Sequence, residues 1–372
     1  MRVLLRLPTE PPDPGSSDRP IDFHRRLPDY RETALVDAPR LAQKLGVAKV
    51  FVKDETSRFG LPSFKVLGAS WATYFALRER LGPIPDGPLT TECLQAWASP
   101  VRPLTLIAAS DGNHGRAVAR VARWFGLGSR IFIPSFVSDG RRRTIEAEGA
   151  ELVVIDGVYD AAVDAAIEAG EAAGALLISD TARAADEIVP QQAVAGYTTA
   201  LAEVEQQLSR SGDDRIDAVV VQAGVGGLSS ATTIWARLTR RGRSPRVIVV
   251  EPEPAACVMA ALAAGEPIAV SASKISAMAV LQCGTVSVTS FANLNAGVSC
   301  CLAIEDSWAT TAVPELSACG IQTGPSGAAG VAGLLAAFSG AFAAPVRQHL
   351  GLSSDARLLA IATESPAAAE SA

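Results

Sequence analysis

Three short runs of this sequence bring together residue types that can do chemistry. In "VKDETSRFGLPSFKVLGAS" (52–70), polar residues, Gly60 and Pro62 lead up to Lys65, and helical spacing starts at that lysine. Apolar neighbours (Phe64, Val66, Leu67) and a helix start would both lower its pKa, toward a neutral amine able to attack a carbonyl. A solvated lysine at a helix start is the ordinary alternative. In "SDGNHGRAVA" (110–119), Asp111, Gly112, Asn113 and Gly115 follow an apolar run and open a second helix. Glycines admit a flat ligand, Asn113 offers both donor and acceptor, and Asp111 offers a carboxylate; a simple helix cap explains one of these residues but not the run. In "VVVQAGVGGLSS" (219–230), Gly224, Val225, Gly226, Gly227 and Leu228 sit between a strand and a helix. Their N–H groups, with the hydroxyls of Ser229 and Ser230, would form a nest for an anion.

The elements around these runs alternate. "KVFVKDE", "LTLIAAS", "SRIFIPS", "ELVVIDG", "ALLISD", "DAVVVQ", "RVIVVEPE" and "RLLAIATES" read as strands. Helical spacing fills the stretches near 65–81, 114–126, 139–149, 159–174 and 190–210, and "ALVDAPRLAQKLGV" reads as a short helix. The segment "GPIPDGPLTTECLQAWASPVRP" reads as a Pro/Gly-rich surface link, and "AAGVAGLLAAFSGAFAAP" as a buried helix. Such alternation predicts an α/β fold with parallel sheets, whose strand ends carry the ligand sites.

Composition narrows the partners. The chain has 372 residues and a net charge of −6, which gives no general attraction for nucleic acid and leaves a small molecule as the expected ligand. No run reaches the roughly 18 apolar residues of a membrane span, and the apolar run at the start is too short for a secretory signal. A cytoplasmic protein is expected. Six cysteines without a C-x-x-C spacing and three histidines predict no metal site.

An amine for an aldehyde, an asparagine for a phenolic oxygen and a glycine nest for a phosphate match the features of pyridoxal 5'-phosphate. With these motifs, and with "SDTA" (179–182) and "GYTTALAE" (196–203), the chain resembles the tryptophan-synthase-β-like (type II) pyridoxal-phosphate enzymes, and within them the diaminopropionate ammonia-lyase branch. Relatives that dehydrate serine or threonine usually carry arginine where Leu67 stands. The resemblance implies that Lys65 is the Schiff-base lysine, that Asn113 meets the cofactor's 3'-oxygen, and that Gly224 to Leu228 hold its phosphate. It implies that Thr363 faces the pyridine nitrogen and that Asp111 and Asp180 are acid/base carboxylates for the two enantiomers of the substrate.

The type II fold would place a large domain at 1–72 and 190–372 and a smaller inserted domain at 73–189, with the cofactor in the cleft of a homodimeric enzyme. The implied reaction is α,β-elimination from a β-substituted amino acid, 2,3-diaminopropionate first. β-Replacement and serine/threonine-type dehydration are the alternatives. Two departures bear on substrate: Gly324 and Pro325 stand where the family places a glutamate, and "TARAADEIVP" (181–190) differs from the family's aromatic run. Outside this class, Gly224-x-Gly226-x-x-Ser229 with Glu251 after the next strand imitates a dinucleotide site, so an NAD-binding dehydrogenase is a further alternative.

Overall fold

The computed structural model describes residues 1–9, 19–110, 112–157, 159–213, 215–238, 244–271 and 274–366. Strands are numbered in chain order. Seven form one sheet in the order β1 (Arg2–Leu5), β10 (Val298–Ile304), β9 (Arg246–Pro252), β8 (Ala218–Gln222), β11 (Arg357–Ala362), β3 (Lys49–Asp54) and β2 (Leu35–Asp37). The five inner strands run parallel, and the edges β1 and β2 are antiparallel to their neighbours. Continuous apolar runs make this possible: every residue of β8 and β10 is buried, as expected for strands covered on both faces.

Four further strands form an all-parallel sheet in the order β6 (Glu151–Ile155), β5 (Gly128–Pro134), β4 (Thr105–Ala109) and β7 (Ala175–Leu177). The protein is therefore an α/β molecule with two parallel sheets. Several local expectations are corrected. β1, β2 and β10 were not foreseen; β2 occupies the start of the segment read as one helix, whose helix is only Pro39–Leu45. The supposed surface link contains the helix Thr91–Ala98, which buries Leu94 and Ala98 and is capped by Thr90 Oγ1 accepting from Cys93 N at 3.2 Å. The helix Pro325–Ala337 is buried, as its composition suggests. Among the described residues, no single helix is long and apolar enough to cross a membrane.

The helix Lys65–Leu81 packs on the helix Ile188–Ser211 closely enough that side chains are excluded at the contact. A Cβ on Gly68 would lie 2.4 Å from Tyr197 Cε1, and one on Gly196 would lie 2.4 Å from the Leu67 carbonyl oxygen. His24 closes the same junction from the short helix Pro20–His24. Its Nε2–H donates to the Leu67 carbonyl at 3.0 Å and its Nδ1 accepts from the Thr199 hydroxyl at 2.6 Å. Burial, followed by the Arg58 charge, pushes its pKa down from 6.5 to about 3, so the folded protein keeps it neutral.

The sign of the resulting pH dependence follows. Unfolded chains take up a proton near pH 6.5 that the folded protein refuses until about 3. The stability from this group is complete above 6.5 and shrinks as the pH falls toward 3. Unfolding in urea should show a loss of about 2 kcal/mol from this group between roughly pH 7 and pH 5. His24→Gln, which cannot titrate, should flatten that part of the profile.

Beneath this junction lies an ionic cluster without exposure. Glu203 accepts from Lys53 Nζ at 2.7 Å and from both terminal nitrogens of Arg58 at 2.7 and 2.8 Å. Arg58 also holds Glu55, at 3.0 Å through Nε. The cluster ties β3 and the loop that leads to Lys65 onto the helix Ile188–Ser211. Burial works against the Glu203 charge, but Arg58 and Lys53 hold its carboxyl below the usual range.

Candidate active site

The carboxyl ends of β8, β11 and β3, adjacent and parallel, deliver three of the sequence-marked segments to one edge of the large sheet. After β3 the chain loops through Ser63, which bridges to Glu364, and starts its next helix at Lys65. β8 ends at Gln222 and gives way to the glycine turn that opens the helix Gly227–Leu238. β11 runs into Thr363 and Glu364.

From the small sheet, Asp180 follows β7 and meets Lys65: Nζ donates to Oδ2 at 2.6 Å. The expected lowering of the lysine pKa is overturned. Burial is the largest influence and pulls downward, but the Asp180 carboxylate, together with Tyr197 and Cys283, outweighs it and lifts Lys65 above the ordinary lysine value. For Asp180, burial opposes the charge, while His114 and Lys65 favour it and hold the carboxyl well below its usual range. His114 Nε2–H donates to the Ile178 carbonyl at 2.7 Å; its buried Nδ1 stands 3.8 Å from Asp180 Oδ2 with no hydrogen bond.

Asn113, the first residue of its helix, donates to Glu364 Oε2 at 2.5 Å, so it faces the end of β11. Its neighbour Asp111 lies outside the described residues. Thr363 is buried beside the glycine turn, its hydroxyl accepting from Gln222 Nε2 at 2.8 Å. A cavity of about 50 Å³ opens beside Asn113 and Glu364, lined also by Pro62, Arg116 and Arg141; Lys65, Asp180, Thr363 and the glycine turn are not part of its lining.

The turn itself is bare backbone by necessity. A Cβ at Gly224 would lie 2.9 Å from Cys283 Sγ, and one at Gly226 would lie 2.9 Å from Leu294 Cδ1 on a backbone with φ of +94°. At Gly227 it would face the Tyr197 ring at 3.4 Å. The first N–H groups of the helix that follows have no intrahelical acceptor, so the turn fits an anion. Ser229 does not contribute as expected, because its hydroxyl donates to Gly226 O at 3.0 Å; Ser230 accepts from Asn293 at 3.1 Å, which leaves its own proton available to an anion.

Glu251 settles the dinucleotide alternative against itself. It is fully buried and accepts from the N–H groups of Val258 and Met259 at 2.7 and 2.8 Å, capping the helix that starts at Cys257, so it is not offered to a ribose. The turn at 323–327, where the family's acid is missing, packs on β11 instead. Thr323 donates to the Glu364 carbonyl at 2.6 Å, and a Cβ on Gly327 would lie 2.6 Å from that oxygen.

Sequence reading missed Tyr197, Gln222 and Cys283. Tyr197 is buried, its hydroxyl without a hydrogen-bond partner among the described residues, and Lys65 Nζ lies 5.8 Å from its ring centroid. The available signal was a polar residue at each edge of a glycine-rich contact: Gln222 precedes the turn, and Tyr197 follows Gly196.

A half-buried amine, a carboxylate against it and a glycine cradle for an anion define a site for a phosphorylated carbonyl cofactor. The chain belongs to the pyridoxal-phosphate dependent enzymes, whose family description matches residues 27–346, and its cofactor is pyridoxal 5'-phosphate. Among individual proteins, it is 31% identical to the diaminopropionate ammonia-lyase of Salmonella typhimurium over 356 residues, 92% of this chain and 87% of that enzyme. It is 30% identical to the enzyme of that name from Escherichia coli over 347 residues, 92% of this chain and 86% of the other. The crystal structure of the Escherichia coli enzyme in complex with an aminoacrylate-PLP azomethine reaction intermediate superimposes with a TM-score of 0.86 at 27% identity, covering 98% of this chain and 94% of that one.

Proposed function

We propose that this enzyme is an ammonia-lyase that eliminates the β-amino group of 2,3-diaminopropionate, releasing pyruvate and ammonia. The contact between Lys65 and Asp180 carries the reading, supported by the relatives' activity. Pyridoxal phosphate, when bound, supplies a conjugated electron acceptor that makes the substrate's α-proton acidic and its β-substituent expellable. Lys65 is the residue that joins the cofactor covalently; Asn113 binds its 3'-oxygen, and Gly224, Val225, Gly226, Gly227 and Leu228 bind its phosphate. Thr363 would face the ring nitrogen. As long as Lys65 is a free ammonium it neutralises Asp180. Once the amine is engaged elsewhere, Asp180 becomes an uncompensated carboxylate in a buried site, a stronger base.

Asp180 and Asp111 then take the α-proton from opposite faces, one for each enantiomer, since a base reaches only the side on which the proton points. The two sheets belong, in this reading, to a large domain (1–72 and 190–372) and a smaller one (73–189) that enclose the cofactor. We place the enzyme in the cytoplasm as a homodimer; none of the six cysteines forms a disulfide among the described residues, which suits a reducing compartment, and analytical ultracentrifugation measures the assembly.

The test is pyruvate and ammonia release from each enantiomer by the parent, Asp111→Asn and Asp180→Asn. The parent should act on diaminopropionate, and each variant should lose about 10²-fold or more in kcat/KM on one enantiomer. Equal losses on both would reject the division of labour. Activity confined to other β-substituted amino acids, or requiring an added nucleophile, would favour dehydration or β-replacement.

A further inference from the structure

Gln222 is 3% exposed, and its side chain ends among three oxygens: Thr363 Oγ1 at 2.8 Å, the Gly327 carbonyl at 2.9 Å and the Ser326 carbonyl at 3.2 Å. Carbonyl oxygens only accept hydrogen bonds. Both carbonyls therefore require the amide nitrogen of Gln222 on their side, which leaves Oε1 pointing away, buried and without a partner among the described residues. The same nitrogen faces Thr363, and an amide nitrogen has no lone pair to accept a hydroxyl proton. Thr363 Oγ must be the acceptor in that pair. Its own hydrogen has no second partner among the described residues and is left to point into the site.

We propose that Gln222 is a positioning residue that fixes the polarity of Thr363, so that the threonine presents a proton and not a lone pair to the cofactor ring. The inference rests on the reading that Thr363 faces the ring nitrogen. A nitrogen opposite a committed donor acts as acceptor and stays unprotonated. Such a ring withdraws less charge from the substrate's α-carbon, and loss of the β-substituent then outruns return of a proton to the cofactor, the step that would convert it to the amine form. Two backbone carbonyls in the first turn of the helix Pro325–Ala337 thus reach the reaction through one amide group.

The test compares the holoenzyme with Gln222→Glu, Gln222→Met and Thr363→Val, reading the ¹⁵N resonance of the ring nitrogen in labelled pyridoxal phosphate across pH. In the parent the resonance should sit in the unprotonated range and not titrate. Gln222→Glu places an acceptor against Thr363, reverses its hydroxyl and should move the resonance toward the protonated range. The ratio of amine-form cofactor to pyruvate should rise on the order of tenfold. Gln222→Met keeps the volume, removes the donor and should make the resonance titrate, which covers the case in which the buried acid prevents folding. If Thr363→Val shifts the resonance while neither Gln222 variant does, the role of Gln222 is overturned and the reading of Thr363 stands. If Thr363→Val leaves it unchanged, Thr363 does not face the ring, and both fall.

Discussion

Lys65→Ala is expected to lose more than about 10³-fold in turnover, because it removes both the lysine proposed to join the cofactor and the ammonium that donates to Asp180. Borohydride, which fixes an imine-linked cofactor to protein, should label the parent and fail to label the variant. Lys44→Ala is the control: that lysine pairs with Glu315 at the surface and should change neither result. A fully active Lys65→Ala would remove the site as drawn. The same substitution leaves Asp180 buried with only His114 beside it, so its carboxyl should titrate higher than in the parent.

The largest stability effect should come from Glu203→Ala. Lys53 and Arg58 both lose their shared carboxylate in a place water does not reach, and breaking a buried pair from one side costs about 3–5 kcal/mol. Urea unfolding of the cofactor-free protein measures it directly. A loss under about 1 kcal/mol would mean that water enters the cluster. Since the cluster anchors the loop ahead of Lys65, cofactor retention should weaken alongside stability, without any contact between Glu203 and the ligand.

How much was legible beforehand depended on how local each signal is. β8, β9 and β11 stood out because strands buried on both faces are continuous apolar runs closed by turn residues. The edges β1 and β2 are three or four residues long and exist through their antiparallel partners, which a local pattern does not reveal. β10 hides behind its serine and cysteines, small residues with weak strand preference that tertiary burial overrides. Lys65, Asn113 and the glycine turn were readable because helix starts and glycines are sequence features.

The raised lysine pKa was not readable. Its cause, Asp180, lies 115 residues away, and burial and a helix start argue the other way. Nor was the diversion of the Ser229 hydroxyl, since proximity to a nest says nothing about which acceptor lies nearer.

The crossing at Gly68 and Gly196 has a consequence for how this enzyme tolerates change. At this point the two helices meet through backbone and one tyrosine ring, so their local separation is fixed by van der Waals radii. Lys65 lies one helical turn from Gly68, and Tyr197 directly follows Gly196, so the spacing between amine and phenol is gauged by atoms that take no part in the reaction. A methyl group added at either glycine would act as a shim. It would lever the start of the lysine's helix away from the phenol and from Asp180 while leaving every reacting side chain intact, an injury to activity that an inventory of active-site residues would not reveal.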